Sequence, residues 1–165
     1  MRYFISIAGA VGLLIAGAFT PLYAEGPDQA ALAGLSDAKI AFDMRNGDAK
    51  GLLRELDVID ETRQSLIKQG VKPTIVIAFR GPATKLVQTD QNQIKAEDRE
   101  DATKVVEKIK ALQAADGVAG LEQCAVAVRL AGTQPENVLA GIKLVGNGWI
   151  SLSAYQAKGF SYIAP

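Results

Sequence analysis

The chemistry open to this chain is narrow, and most of it converges on one side chain. Cys124 is the only cysteine, and histidine is absent altogether. Without histidine there is no Ser-His-Asp triad, no histidine general base and no common zinc or copper ligand set. A single thiol forms no internal disulfide. In an exported protein it either makes an intermolecular link or is kept for chemistry. The segment around it, from Gly117 to Gly132, reads as a short strand ending at Cys124. One or two turns of helix follow over 125–130, stopped by Gly132. A thiol at such a junction faces the partly unpaired N–H groups of the helix's first turn, whose dipoles favour the nucleophilic thiolate. Arg129, about a turn further on, adds positive potential. Against this stands the plain reading of Cys124 as a small buried hydrophobe, because free cysteine is among the most buried residue types.

Few other residues offer chemistry. Asp60-Glu61 and Glu100-Asp101 fall on the polar faces of helical patterns and read as solvated carboxylates. Met44 and Cys124 together are two ligands short of a soft-metal site, and Met44 reads as packing. No phosphate-binding loop or nucleophile elbow occurs. With 18 basic and 18 acidic residues, the near-neutral chain has no electrostatic signature of a nucleic-acid or anionic-membrane partner.

The elements that must position Cys124 follow from periodicity. A β-prone run over 39–44 ends at Arg45-Asn46-Gly47-Asp48, a turn whose aspartate can cap the next helix. That helix runs to about Gln69, with Leu52, Leu56, Ile59 and Leu66 at helical spacing, and Gly70 stops it. The run 73–79 is apolar without alternation, as in a central parallel strand covered on both faces. Arg80-Gly81-Pro82 breaks it, a brief helix is expected over 83–87, and 88–95 reads as a polar surface loop. A second long helix over 97–115 presents Ala102, Val105, Val106, Ile109 and Leu112 on one face. After Cys124 and its small helix come a strand over 142–145, a helix over 149–156 led in by Asn147-Gly148, and a strand over 160–163. Strands alternating with helices predict a three-layer α/β/α domain with a mainly parallel sheet of about five strands. In such sheets reactive groups gather at the carboxyl ends of the strands. Arg45, Arg80, Cys124 and Asn147 all follow strands there. Taken singly, each arginine reads as a solvated surface charge.

The first residues form a separate unit. Arg2 precedes an uncharged run over 3–19, and Ala24 offers a small-residue exit before Glu25. This is the pattern of a cleavable signal peptide over 1–24, which implies a periplasmic or otherwise exported protein with no membrane attachment after cleavage. Residues 25–37 read as a flexible leader, and 38–165 as the folded domain.

With these pieces in order, the chain resembles the DsrE/DsrF-like family of sulfur-relay proteins over 38–165. The marks are Lys39-Ile40-Ala41-Phe42 leading into Asn46-Gly47-Asp48, and Arg80-Gly81-Pro82-Ala83 with Lys85-Leu86. Further marks are Leu121 and Cys124 with Arg129 and Gly132, Gly146-Asn147-Gly148-Trp149, and the segment from Gln156 to Tyr162. The resemblance implies a domain that forms dimers, trimers or rings. It also implies a Cys124 that accepts sulfane sulfur as a persulfide and passes it to a partner thiol, with no metal or organic cofactor. Donor and acceptor would be proteins or small sulfane-sulfur compounds, and Arg129, Arg80, Arg45 and Asn147 would support the anion. The well-known relay members are cytoplasmic, whereas this chain carries an export pattern. The other expectation is a non-catalytic oligomeric binding or assembly subunit of the same fold, with an inert buried cysteine and Trp149, Phe160 and Tyr162 as interface anchors.

Overall fold

The computed structural model describes residues 28–165, so the expected signal peptide lies outside the described residues. The chain forms a short helix α1 (Gln29–Leu32), strand β1 (Asp37–Met44), helix α2 (Ala49–Lys68) and strand β2 (Lys72–Phe79). Helix α3 (Arg99–Gln113), strand β3 (Val118–Cys124), helix α4 (Ala125–Ala131), strand β4 (Ile142–Val145), helix α5 (Gly148–Ala157) and strand β5 (Ser161–Ile163) follow. A 3-10 helix spans Gly81–Val87 between β2 and α3. Within the stretch expected as a leader, α1 sits beside α2, where the Asp28 and Gln69 side chains pair. No helix among the described residues is long and apolar enough to cross a membrane.

The five strands lie in the order β4-β3-β2-β1-β5, and every strand pair is parallel. This is the three-layer α/β/α architecture expected from the sequence. The strand order also decides which face each helix covers. From β1 to β4 the chain steps across the sheet in one direction, so right-handed crossovers put α2, α3 and α4 on one face. From β4 it returns past β1 to form β5, and that reversal carries α5 to the opposite face.

The two faces differ in kind. The α2/α3 face holds the main core: Ile40, Phe42 and Met44 of β1, Ile75, Ile77 and Phe79 of β2, and Leu121 of β3 against Leu52, Leu56, Val105 and Ile109. Met44 is packing, as its type suggested. Asp48 caps α2 by accepting from Gly51 N at 2.6 Å. Under α5 the apolar cluster is small, consisting of Ala41, Ala78 and Leu152 with Tyr155 and Phe160 packed on it. The same face carries two buried carboxylates. Asp43, Ala78 and Glu122 stand in one row across β1, β2 and β3.

One expectation needs correction. The segment 88–95 is not wholly a surface loop, because Gln88 and Ile94 are buried. Gln88 forms an isolated antiparallel bridge with Val138, and Ile94 joins the main core. A lone isoleucine among polar residues carries no periodicity, so nothing local reveals it.

Candidate functional site

The site lies where adjacent strands send the chain to opposite faces. β3 continues into α4 on the core side, while β4 continues into α5 on the other. The crevice between their carboxyl ends is therefore a topological switch point, the usual place for a ligand in an open parallel sheet. Cys124 is the last residue of β3 and the N-cap residue of α4. It pairs in register with Val145, the last residue of β4. Its Sγ accepts a hydrogen bond from the backbone N–H of Gly148 at 3.2 Å. Its carbonyl accepts from Gln123 Nε2 at 3.1 Å, and that buried amide also donates to Thr84 Oγ1 at 3.0 Å. The strand-to-helix junction is thus held on both sides.

Gly148 packs closely on the thiol. A Cβ on residue 148 would stand 3.2 Å from Cys124 Cβ, a tight approach, and in van der Waals contact with Sγ at 3.5 Å. Asn147 does not reach the thiol. It caps α5, accepting from Trp149 N at 3.0 Å, which fixes the turn that brings Gly148 over the sulfur.

A cleft of about 670 Å³ opens at this edge. Cys124, only 6% exposed, forms part of its floor. Pro82, Val126, Leu130 and Trp149 supply apolar walls, and Arg80 and Lys85 are its two cationic residues. The rim is strongly apolar: Leu130 is 79% exposed and Trp149 69%. Ile150, beside Trp149 on α5, is exposed to the same degree.

Of the four residues expected to support an anion, the structure brings Arg80 and Asn147 to the cleft. Arg80 is not a free charge. Its Nε donates to Asp43 Oδ1 at 2.5 Å and its second guanidinium arm donates to Oδ2. The planar guanidinium matches the carboxylate in a two-armed pair. Asp43 is almost completely buried and also accepts from the Tyr162 hydroxyl of β5 at 2.6 Å. The hydrogen bond to Asp43 raises Arg80 above its ordinary value, and the same carboxylate raises the Tyr162 phenol. The Arg80 guanidinium also lies 5.9 Å from the Trp149 ring centroid. Arg45 stands at the outer side of this cluster, 3.8 Å from Asp43, with a half-exposed side chain. Arg129 lies exposed on α4 and is not among the residues lining the cleft. The cation expected beside the sulfur on helical spacing is therefore not there.

Glu122 was not among the residues expected at the site. It sits two residues before Cys124 on the α5 face, buried, and accepts from the hydroxyls of Ser151 and of Tyr155, the latter at 2.8 Å. Burial, reinforced by this carboxylate, pushes the Tyr155 phenol up to about 12. The only local hint was an acidic residue inside a strand, between Leu121 and Gln123. Its partners lie 29 and 33 residues away.

No family model matches the chain. An uncharacterized protein from Aquifex aeolicus (strain VF5) is 25% identical over 128 residues, which is 78% of this chain. The match spans 56% of that relative's length. A solved structure of a protein of unknown function from Methanobacterium thermoautotrophicum is similar at a TM-score of 0.56 and 19% identity. It covers 78% of this chain and all of that one, and the likeness is one of fold.

Proposed function

We propose that this protein is a non-catalytic binding and assembly module, whose working surface is the apolar cleft and rim at the carboxyl edge of the sheet. One contrast carries the reading. The thiol is buried and Arg80 beside it is neutralised by Asp43, whereas Leu130 and Trp149 stand out at the rim, with exposed Ile150 next to Trp149 in the chain. An exposed group of large apolar side chains is the mark of a surface that meets a partner. A buried thiol whose neighbouring arginine is already paired, in a chain with no histidine to act as base, lacks the surroundings of reactive cysteines. The partner class includes a second copy of this chain, forming a homo-oligomer. Iodoacetamide should modify Cys124 of the folded protein far more slowly than in denaturant, and light scattering should give a mass above the monomer. Alkylation at the unfolded rate near neutral pH overturns the reading.

A second reading rests on a specific observation: Cys124 Sγ lines the cleft and receives the Gly148 N–H. That donor suits a sulfur carrying negative charge. In this reading the protein is a DsrE/DsrF-like sulfur carrier. The Cys124 thiolate attacks the sulfane sulfur of a donor persulfide or polysulfide and forms a new S–S bond. The donor's own S–S bond breaks, and the rest of the donor leaves with the electron pair, as a thiolate from a persulfide or as a polysulfide anion one sulfur shorter. The acceptor's thiolate then takes the outer sulfur and frees Cys124. Polysulfide treatment followed by intact-protein mass measurement should add one sulfur atom to the native chain and none to Cys124→Ser. Equal mass gains in the two proteins, or none in either, refute it. Either role would be carried out in the periplasm if residues 1–24 act as an export signal. Cell fractionation with mass measurement of the mature N-terminus tests that placement.

A further inference from the structure

We propose that the cleft beside Cys124 holds a small singly charged amphipathic anion. Its apolar body lies against Val126, Leu130 and Trp149, and its charged head against Lys85. This rests on reading the cleft as a binding surface and names the chemistry that the surface would select.

Three observations carry it. First, the volume, about 670 Å³, suits an organic molecule rather than a small inorganic ion. Second, the lining contains two cations and no carboxylate. Arg80 has its charge met by Asp43, whereas exposed Lys85 makes no ion pair among the described residues. Within the lining Lys85 is the one cation without a carboxylate partner, which suits a singly charged head group. Third, Trp149 has the Arg80 guanidinium 5.9 Å from its ring centroid yet stays 69% exposed. The rigid indole thus offers an apolar surface at low entropic cost to whatever enters.

Trp149 is the only tryptophan, so its emission reports occupancy directly. The full chain would be titrated with decanoate, decanol and decyltrimethylammonium, which share a tail and differ in head charge. Decanoate is expected to bind about fivefold more tightly than decanol, the scale of one exposed ion pair. Lys85→Gln should abolish that advantage while leaving decanol binding unchanged, and Lys85→Glu should shift the preference to the cation. Equal binding of decanoate and decanol to the native protein overturns the proposal, as does a preference that survives Lys85→Gln. In both cases the cleft still stands as an apolar binding surface. If none of the three alters Trp149 emission, the proposal is overturned, and the assembly reading stands or falls on the alkylation and light-scattering measurements.

Discussion

Replacing Asp43 by asparagine tests the assembly of the site from its most buried charge. The Asp43 side chain is 0% exposed and that of Arg80 18%. The carboxylate accepts two hydrogen bonds from Arg80 and one from Tyr162. Asparagine offers a single acceptor oxygen and turns two donors toward groups that also donate. Removing one partner of a buried pair costs about 3–5 kcal/mol. Residual hydration of Arg80 places the expected loss at the lower end, about 3 kcal/mol, or about 9 °C in Tm for a domain of this size. Urea unfolding followed through Trp149 emission measures the loss, with an unchanged m-value showing that the folded state is preserved. Arg80→Gln completes a double-mutant cycle. In the Asp43→Asn background it should cost much less than in the native protein, because the charge it removes is already unpaired. A loss below about 1 kcal/mol, or additive costs, would refute the view that this pair holds the cleft wall in place.

Other perturbations bear on the same edge. Gly148→Ala presses a methyl group onto Cys124, and should cost about 1–3 kcal/mol and further slow alkylation of the thiol. Faster alkylation would show that residue 148 does not cover the sulfur. Asn147→Ala removes the α5 cap and should cost about 1 kcal/mol in urea unfolding, as should Asp48→Ala at the start of α2. Tyr155 and Tyr162 both titrate above the ordinary value near 10, Tyr155 at about 12. A raised folded-state value means their contribution is whole below 10 and is lost as pH climbs through the folded value. Stability should accordingly fall between about 10 and about 12, with tyrosinate absorbance rising in the same window. Glu122→Gln should bring the Tyr155 transition down only part of the way, since burial is the larger cause. A Tyr155 transition unmoved by that change would remove Glu122 from the account.

Periodicity and turn chemistry were enough to locate every strand and every α-helix except α1, because each large element writes its buried face into its own spacing. Arg45, Arg80, Cys124 and Asn147 could be assigned to one edge for the same reason, since each lies at or just past the end of a strand. What they do there depends on partners far along the chain. Asp43 meets Arg80 across 37 residues and Tyr162 across 119. No local pattern separates a paired arginine from a solvated one. Arg129 shows the converse: helical spacing put it near the thiol, but α4 presents it to solvent. Trp149, expected as an interface anchor in the assembly reading, owes its exposure to its place at the first turn of α5, beyond the small cluster that helix buries.

The helix that lies alone on its face has a consequence for the sulfur beneath its first turn. α5 is held by Leu152, a few aromatic contacts and hydroxyls reaching to Glu122, whereas α2 and α3 share the large core. Layers with little apolar contact detach at a free energy well below that of global unfolding. Its amides should be the earliest of the long helices to take up deuterium. Each such excursion lifts Gly148 from Cys124, so the thiol's encounter with solutes is timed by the loosening of one short helix.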